Sequence, residues 1–107
     1  MTKILTKEDF LRAIENNFNK LSVFKFSASW CQPCKLLGSI IEDISPIEGV
    51  EFFDIDVDEA EETLIEDFSI KSIPAVFFYK NKLQIDRFNG MIGRENLINK
   101  IEENINR

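Results

Sequence analysis

The run LSVFKFSA at residues 21–28 constrains the fold more than any other stretch. It is rich in aromatic and branched residues and nearly continuous in apolar character, the pattern of a strand buried on both faces. Such a strand needs cover above and below. Three further segments read as strands: VEFFDIDV at 50–57, AVFFYK at 75–80 and LQIDRFN at 83–89, the last two joined across an Asn81-Lys82 turn.

Helical periodicity fills the spaces between them. Thr6 is placed to cap a helix carrying Phe10, Leu11, Ile14 and Phe18 on one face, with Asp9 as the capping acid. Leu36, Leu37, Ile40, Ile41 and Ile44 form a second stripe from about residue 34, stopped by Pro46. A short acidic helix is expected over about residues 59–67, with Ala60, Leu64 and Phe68 inward, and a last helix carries Leu97, Ile98, Ile101 and Ile105 inward. A short extra strand can precede the first helix. Helical crossovers imply parallel strands and the hairpin adds antiparallel ones, so the expectation is an α/β fold with a central mixed sheet flanked by helices on both faces.

At 107 residues the chain has the length of one domain, here residues 1–107, able to build a core without covalent staples. A formal charge of −6 disfavours nucleic acid and acidic membrane surfaces as partners. The charge is uneven. Residues 36–70 contain no Lys or Arg but many acids, either a solvated face or a surface selecting basic partners. MTKILTKEDF lacks the apolar run of a secretory signal, no stretch reaches membrane-spanning length, and a cytoplasmic location is expected.

Both cysteines lie in SWCQPCK, residues 29–35. Core thiols, half of a metal site and a redox pair are the three readings. Zinc and iron–sulfur sites generally take four ligands, and this chain offers two Cys and no His, so no metal is expected. DIDVDE at 54–59 fails as a calcium loop because its sixth position is Glu59 and its twelfth Ile65; its carboxylates read as a strand end in solvent. A dithiol remains. Cys31 falls where a strand ends and a helix begins, beside unpaired N–H groups and the positive dipole end, which favours the nucleophilic thiolate. Cys34 is one turn on, which holds the Cα atoms about 5 to 6 Å apart, within disulfide reach. Pro33 is tolerated in the first helical turn and stiffens it.

VFKFSASWCQPCK, FFDIDVDE, SIPAVFFYKN and RFNG, in this order and followed by a terminal helix, resemble the thioredoxin family along nearly the whole chain. The resemblance implies a thioredoxin fold and a protein-disulfide reductase in which Cys31 attacks a substrate disulfide and Cys34 resolves the mixed disulfide. It also implies a cis Ile73-Pro74 bond against the cysteines, and a contact surface of Trp30, Gln32, Pro33, Ile73, Pro74, Gly90 and Met91. A thioredoxin reductase as electron donor, protein disulfides as substrates, a monomer and no bound cofactor follow from the same likeness. An oxidase or isomerase, or a non-catalytic interaction module, are the alternatives. Three positions depart from the family pattern. Gln32 stands where Gly is usual, Ser39 replaces a helix-kinking proline and predicts a straighter second helix, and Lys25 occupies a position that usually carries a buried acid. Charged, Lys25 favours thiolate and a more oxidising couple; desolvated and neutral, it accepts a proton; or its stem simply reaches solvent.

Overall fold

The computed structural model describes residues 1–107. Its elements in chain order are β1 (Thr2–Lys3), α1 (Lys7–Asn16), β2 (Leu21–Ser27), α2 (Gln32–Ile44), β3 (Val50–Asp56), α3 (Glu62–Asp67), β4 (Ala75–Lys80), β5 (Leu83–Asn89) and α4 (Arg94–Ile105). The sheet order is β1-β3-β2-β4-β5, with β1, β3 and β2 parallel and β4 and β5 antiparallel to their neighbours. Every residue of β2 is buried, as a strand paired on both sides and covered on both faces must be.

Alternation along the strands divides the interior in two. Phe24 and Phe26 of β2, Phe53 and Ile55 of β3 and Phe77 of β4 pack with Phe10, Ala13 and Ile14 of α1 and Leu64 of α3. Leu21, Val23, Val50, Phe52, Val76 and Phe78 turn the other way, toward Leu37 and Ile41 of α2 and Leu97 and Ile101 of α4. The result is three layers. The first core is aromatic: Phe24 stacks on Phe53 at a centroid distance of 4.9 Å, and Phe10 meets it tilted at 4.8 Å.

Thr6 closes a full capping box, accepting the Asp9 N–H while the Asp9 carboxylate accepts the Thr6 N–H. The helix stops at Asn16, so Phe18 falls beyond it and is exposed; Leu11 also lies outside the arc that meets the sheet, and Leu36 of α2 is exposed likewise. These three leave the stripes that spacing assigns them. Helix α3 is shorter than its periodicity suggests, yet Ala60 and Phe68 at its flanks still pack on the aromatic core. The second helix runs unbroken through Ser39, whose hydroxyl donates to the Lys35 carbonyl. Asn81 and Lys82 both take positive φ, the geometry of a tight hairpin turn.

Part of the acidic flank is matched by lysines from other elements: Lys3 meets Glu59, Lys7 meets Asp67 and Lys20 meets Glu51. Under the hairpin, Asp86 accepts from Asn104 of α4 and pairs with Lys100. Burial alone would push its carboxyl up, but the hydrogen bonds from Asn104, Lys100 and the Arg87 backbone together outweigh that and hold it below the ordinary value of 3.8.

Two outcomes are expected in urea unfolding. Thr6→Ala costs about 1 kcal/mol through the lost cap, whereas Phe24→Ala costs about 3 to 5 kcal/mol through transfer and cavity terms. A carboxyl depressed in the folded state stabilises at pH above its unfolded value and loses that contribution as pH falls through the folded one. Asp86→Asn is therefore expected to lower stability at pH 7 and to flatten the decline below 3.8.

Candidate active site

Strand β2 ends at Ser27, in the middle of the sheet, and the chain reaches α2 within four residues. Cys31 is the N-cap of α2, in extended conformation, and its Sγ accepts the Cys34 N–H at 3.3 Å. A sulfur thus takes the place of the usual capping oxygen. No acidic residue lies in the first turn of α2, so nothing on that helix offsets its positive end. Cys31 and Cys34 form a disulfide with a Cα separation of 5.3 Å. Both are buried, Cys34 the more deeply, with Ala28 between them and the strand and with Val57 and Ile73 packed against them.

The loop before β4 supplies the opposite wall. The Ile73-Pro74 peptide bond is cis, Pro74 is buried, and its carbonyl accepts the Gly90 N–H at 2.8 Å. Gly90 sits at φ +85°, in the left-handed region where a side chain is strained. Ile73 therefore joins the cysteines, Pro74 follows it in the chain, and Gly90 is tied to Pro74. Gln32, Pro33 and Met91 are exposed around them. Trp30 is 69% exposed and its indole N–H donates to Asp58 at 2.8 Å, which anchors the ring. A groove beside it is floored by Val57, Ile65, Ile70 and Ile73.

Behind the pair the surroundings change character. Lys25, Ser27, Asp54 and Asp56 occupy the C-terminal ends of β2 and β3 on the α2 side and line, with Cys34 and Lys35, an open polar cavity of about 250 Å³. The Lys25 stem does not carry its head to solvent: the side chain is 7% exposed and ends 3.4 Å from both the Cys34 carbonyl and the Asp54 carboxylate. Asp54 lies near the strand end and keeps partial access to solvent, but its carboxylate is engaged as well, since it accepts from the Ser27 hydroxyl at 3.0 Å.

Asp54, Asp58 and Gly38 are the residues of this site that spacing and motif do not single out. For Asp54 a signal exists, an acid level with the one lysine of β2. Register is what makes it legible, and register is set by the sheet. Gly38 matters because a Cβ there would lie 3.0 Å from Lys25 Nζ.

The thioredoxin family model matches residues 1–103. A thioredoxin from Ictalurus punctatus is 40% identical over 76% of this chain and 78% of its own length, and one from Mycoplasmoides gallisepticum is 38% identical over 74% and 79%. The crystal structure of Fasciola hepatica thioredoxin superposes with a TM-score of 0.89 at 30% identity, covering 97% of this chain and 99% of that one.

With the disulfide reduced, the cap position predicts that Cys31 reacts with iodoacetamide at pH 7 about tenfold faster than a free peptide thiol, while Cys34 stays protected. Mass mapping of the alkylated peptides measures both. Equal labelling of the two would remove the activation argument.

Proposed function

Because this chain belongs to the thioredoxin family and is a dithiol–disulfide oxidoreductase, we propose that it works as a reductase of protein disulfides through its Cys-Gln-Pro-Cys pair. The observation that carries this reading is the asymmetry of the two sulfurs. Cys31 sits at the mouth of α2 and accepts a backbone N–H, whereas Cys34 lies one turn inside and almost fully enclosed. Cys31 is the less enclosed of the two and the one that stands at the helix mouth, so it is the one to meet another protein.

In the reduced state, Cys31 thiolate attacks one sulfur of a substrate disulfide, forms a mixed disulfide and expels the other substrate sulfur as thiolate. Cys34 then attacks Cys31 Sγ, which closes the internal bond and releases the second substrate sulfur. Two electrons pass to the substrate. The exposed Trp30, Gln32, Pro33 and Met91 with Ile73, Pro74 and Gly90 form the contact surface, and the free backbone beside Pro74 pairs with an extended substrate segment in strand fashion. A thioredoxin reductase restores the dithiol. The protein acts as a monomer in the cytoplasm. No helix is long and apolar enough to cross a membrane.

Lys25 sets this protein apart from a typical thioredoxin. An ammonium held near Cys34 favours its thiolate, stabilises the reduced pair and makes the couple more oxidising.

The deciding assay is insulin reduction driven by dithiothreitol. Wild type turns over, Cys31→Ser does not, and Cys34→Ser accumulates a mixed disulfide visible by mass. Turnover by Cys31→Ser would sink the assignment. Redox midpoints should fall, toward a more reducing couple, in both Lys25→Met and Lys25→Asp, and unchanged values would remove the role given to Lys25.

A further inference from the structure

On the side facing α2, strands β2 and β3 are apolar up to Val23 and Phe52 and then turn polar: Lys25 lies in register with Asp54, and Ser27 with Asp56. Lys25 is the one cation among them and the one whose head points into the interior beneath the cysteine helix. Its Nζ has two partners, the Cys34 carbonyl and the Asp54 carboxylate, each at 3.4 Å. The Ser27 hydroxyl holds that same Asp54 oxygen at 3.0 Å, so the carboxylate is fixed from its own side of the sheet. Gly38 completes the seat, since α2 has no side chain where the ammonium rests. A buried charge stripped of its partner is costly and relaxes by losing its proton or by turning away from the interior.

We propose that Asp54 is a positioning residue for the resolving step: it holds the Lys25 ammonium against the Cys34 carbonyl, in the cavity that Cys34 lines, and thereby keeps a positive charge on the side of α2 where the resolving thiol must ionise. This rests on the dithiol-exchange reading above. In that step the Cys34 S–H bond breaks and its proton leaves to solvent through the open polar cavity. The freed electron pair forms the bond to Cys31 Sγ, the bond from Cys31 to the substrate sulfur breaks, and that sulfur departs with the pair and is protonated by water. Lys25 and Asp54 exchange no electrons and remain paired throughout. The groups facing this cavity that carry or change charge are Lys25 on β2, Asp54 and Asp56 on β3, and Lys35 and Cys34 on α2. The Ile73-Pro74 loop contributes none.

The test follows alkylation of Cys34 against pH in a Cys31→Ser background, where it is the sole thiol. Asp54→Asn and Lys25→Met should each move the midpoint of the profile upward by about one pH unit, the lower end of the effect of an opposite charge, since Lys25 Nζ meets the Cys34 carbonyl rather than its sulfur. Their combination should move it no further than Lys25→Met alone, because Asp54 acts through Lys25. Asp54→Glu, which keeps the carboxylate, should return the midpoint toward that of the parent. The idea is overturned if Asp54→Asn leaves the midpoint unmoved or lowers it, or if it produces the same shift when Lys25 is already Met. Should Lys25→Met not fold, Lys25→Gln takes its place in the cycle. Failure of the Cys-intact protein to reduce insulin would strike the reductase reading instead, and the Cys34 profile would still report on the pair.

Discussion

The hydrogen bonding of β2 to β3 on one side and β4 on the other is the constraint from which the site follows. A strand in that position cannot meet water along its length, so its residues are buried throughout and the chain surfaces only where the strand ends. There it must turn at once into α2, and the turn residue becomes the cap. The same pairing brings the start of β4, with Ile73 and Pro74 before it, alongside the end of β2, because the two strands run in opposite directions. Sheet geometry thus delivers a helix mouth and an unpaired loop backbone to one place, and the cysteines need only occupy it.

The two sulfurs are then served by different charges. Cys31 feels the concentrated partial charge of the first helical turn, through a direct N–H contact. Cys34 is turned from that mouth toward the polar ends of β2 and β3, where a full ammonium and its counter-ion lie within a few ångströms of its backbone. A dipole at a helix end falls off within a turn, whereas an ion pair in a half-buried cavity is screened by its own partner. The chemistry of the pair is therefore divided between a feature every such helix has and one particular to these side chains.

Much of this could be read before any fold was known. The bounds of β4 and β5 are exact to the residue because two apolar runs flank a two-residue turn, whereas the shift of register between Phe78 and Tyr79 has no mark in the sequence. The Thr6 cap, the burial of Phe10 and Ile14 and the cysteine spacing are local facts, and local facts survive. What failed were side chains at the margin of a stripe. Leu11, Phe18 and Leu36 are apolar at helical spacing yet exposed, since spacing fixes direction to about a residue's width and the length of the helix decides the rest. Asp54 was legible only as a partly solvated acid near a strand end, for a different reason. Its role depends on Lys25, 29 positions earlier, and nothing in either neighbourhood announces the other.

The sheet divides the interior into two cores that share no side chain, one aromatic against α1 and α3, the other aliphatic with two phenylalanines against α2 and α4. The second holds the buried face of the helix that bears the cysteines, while the first reaches the cysteines through Val57 and Ile73, which pack against both. Substitutions far apart and without common partners combine nearly independently. The part of the aromatic half away from Val57 and Ile73 can thus drift, or be redesigned for greater robustness, whereas those two residues tie it to the demands of the cysteine pair.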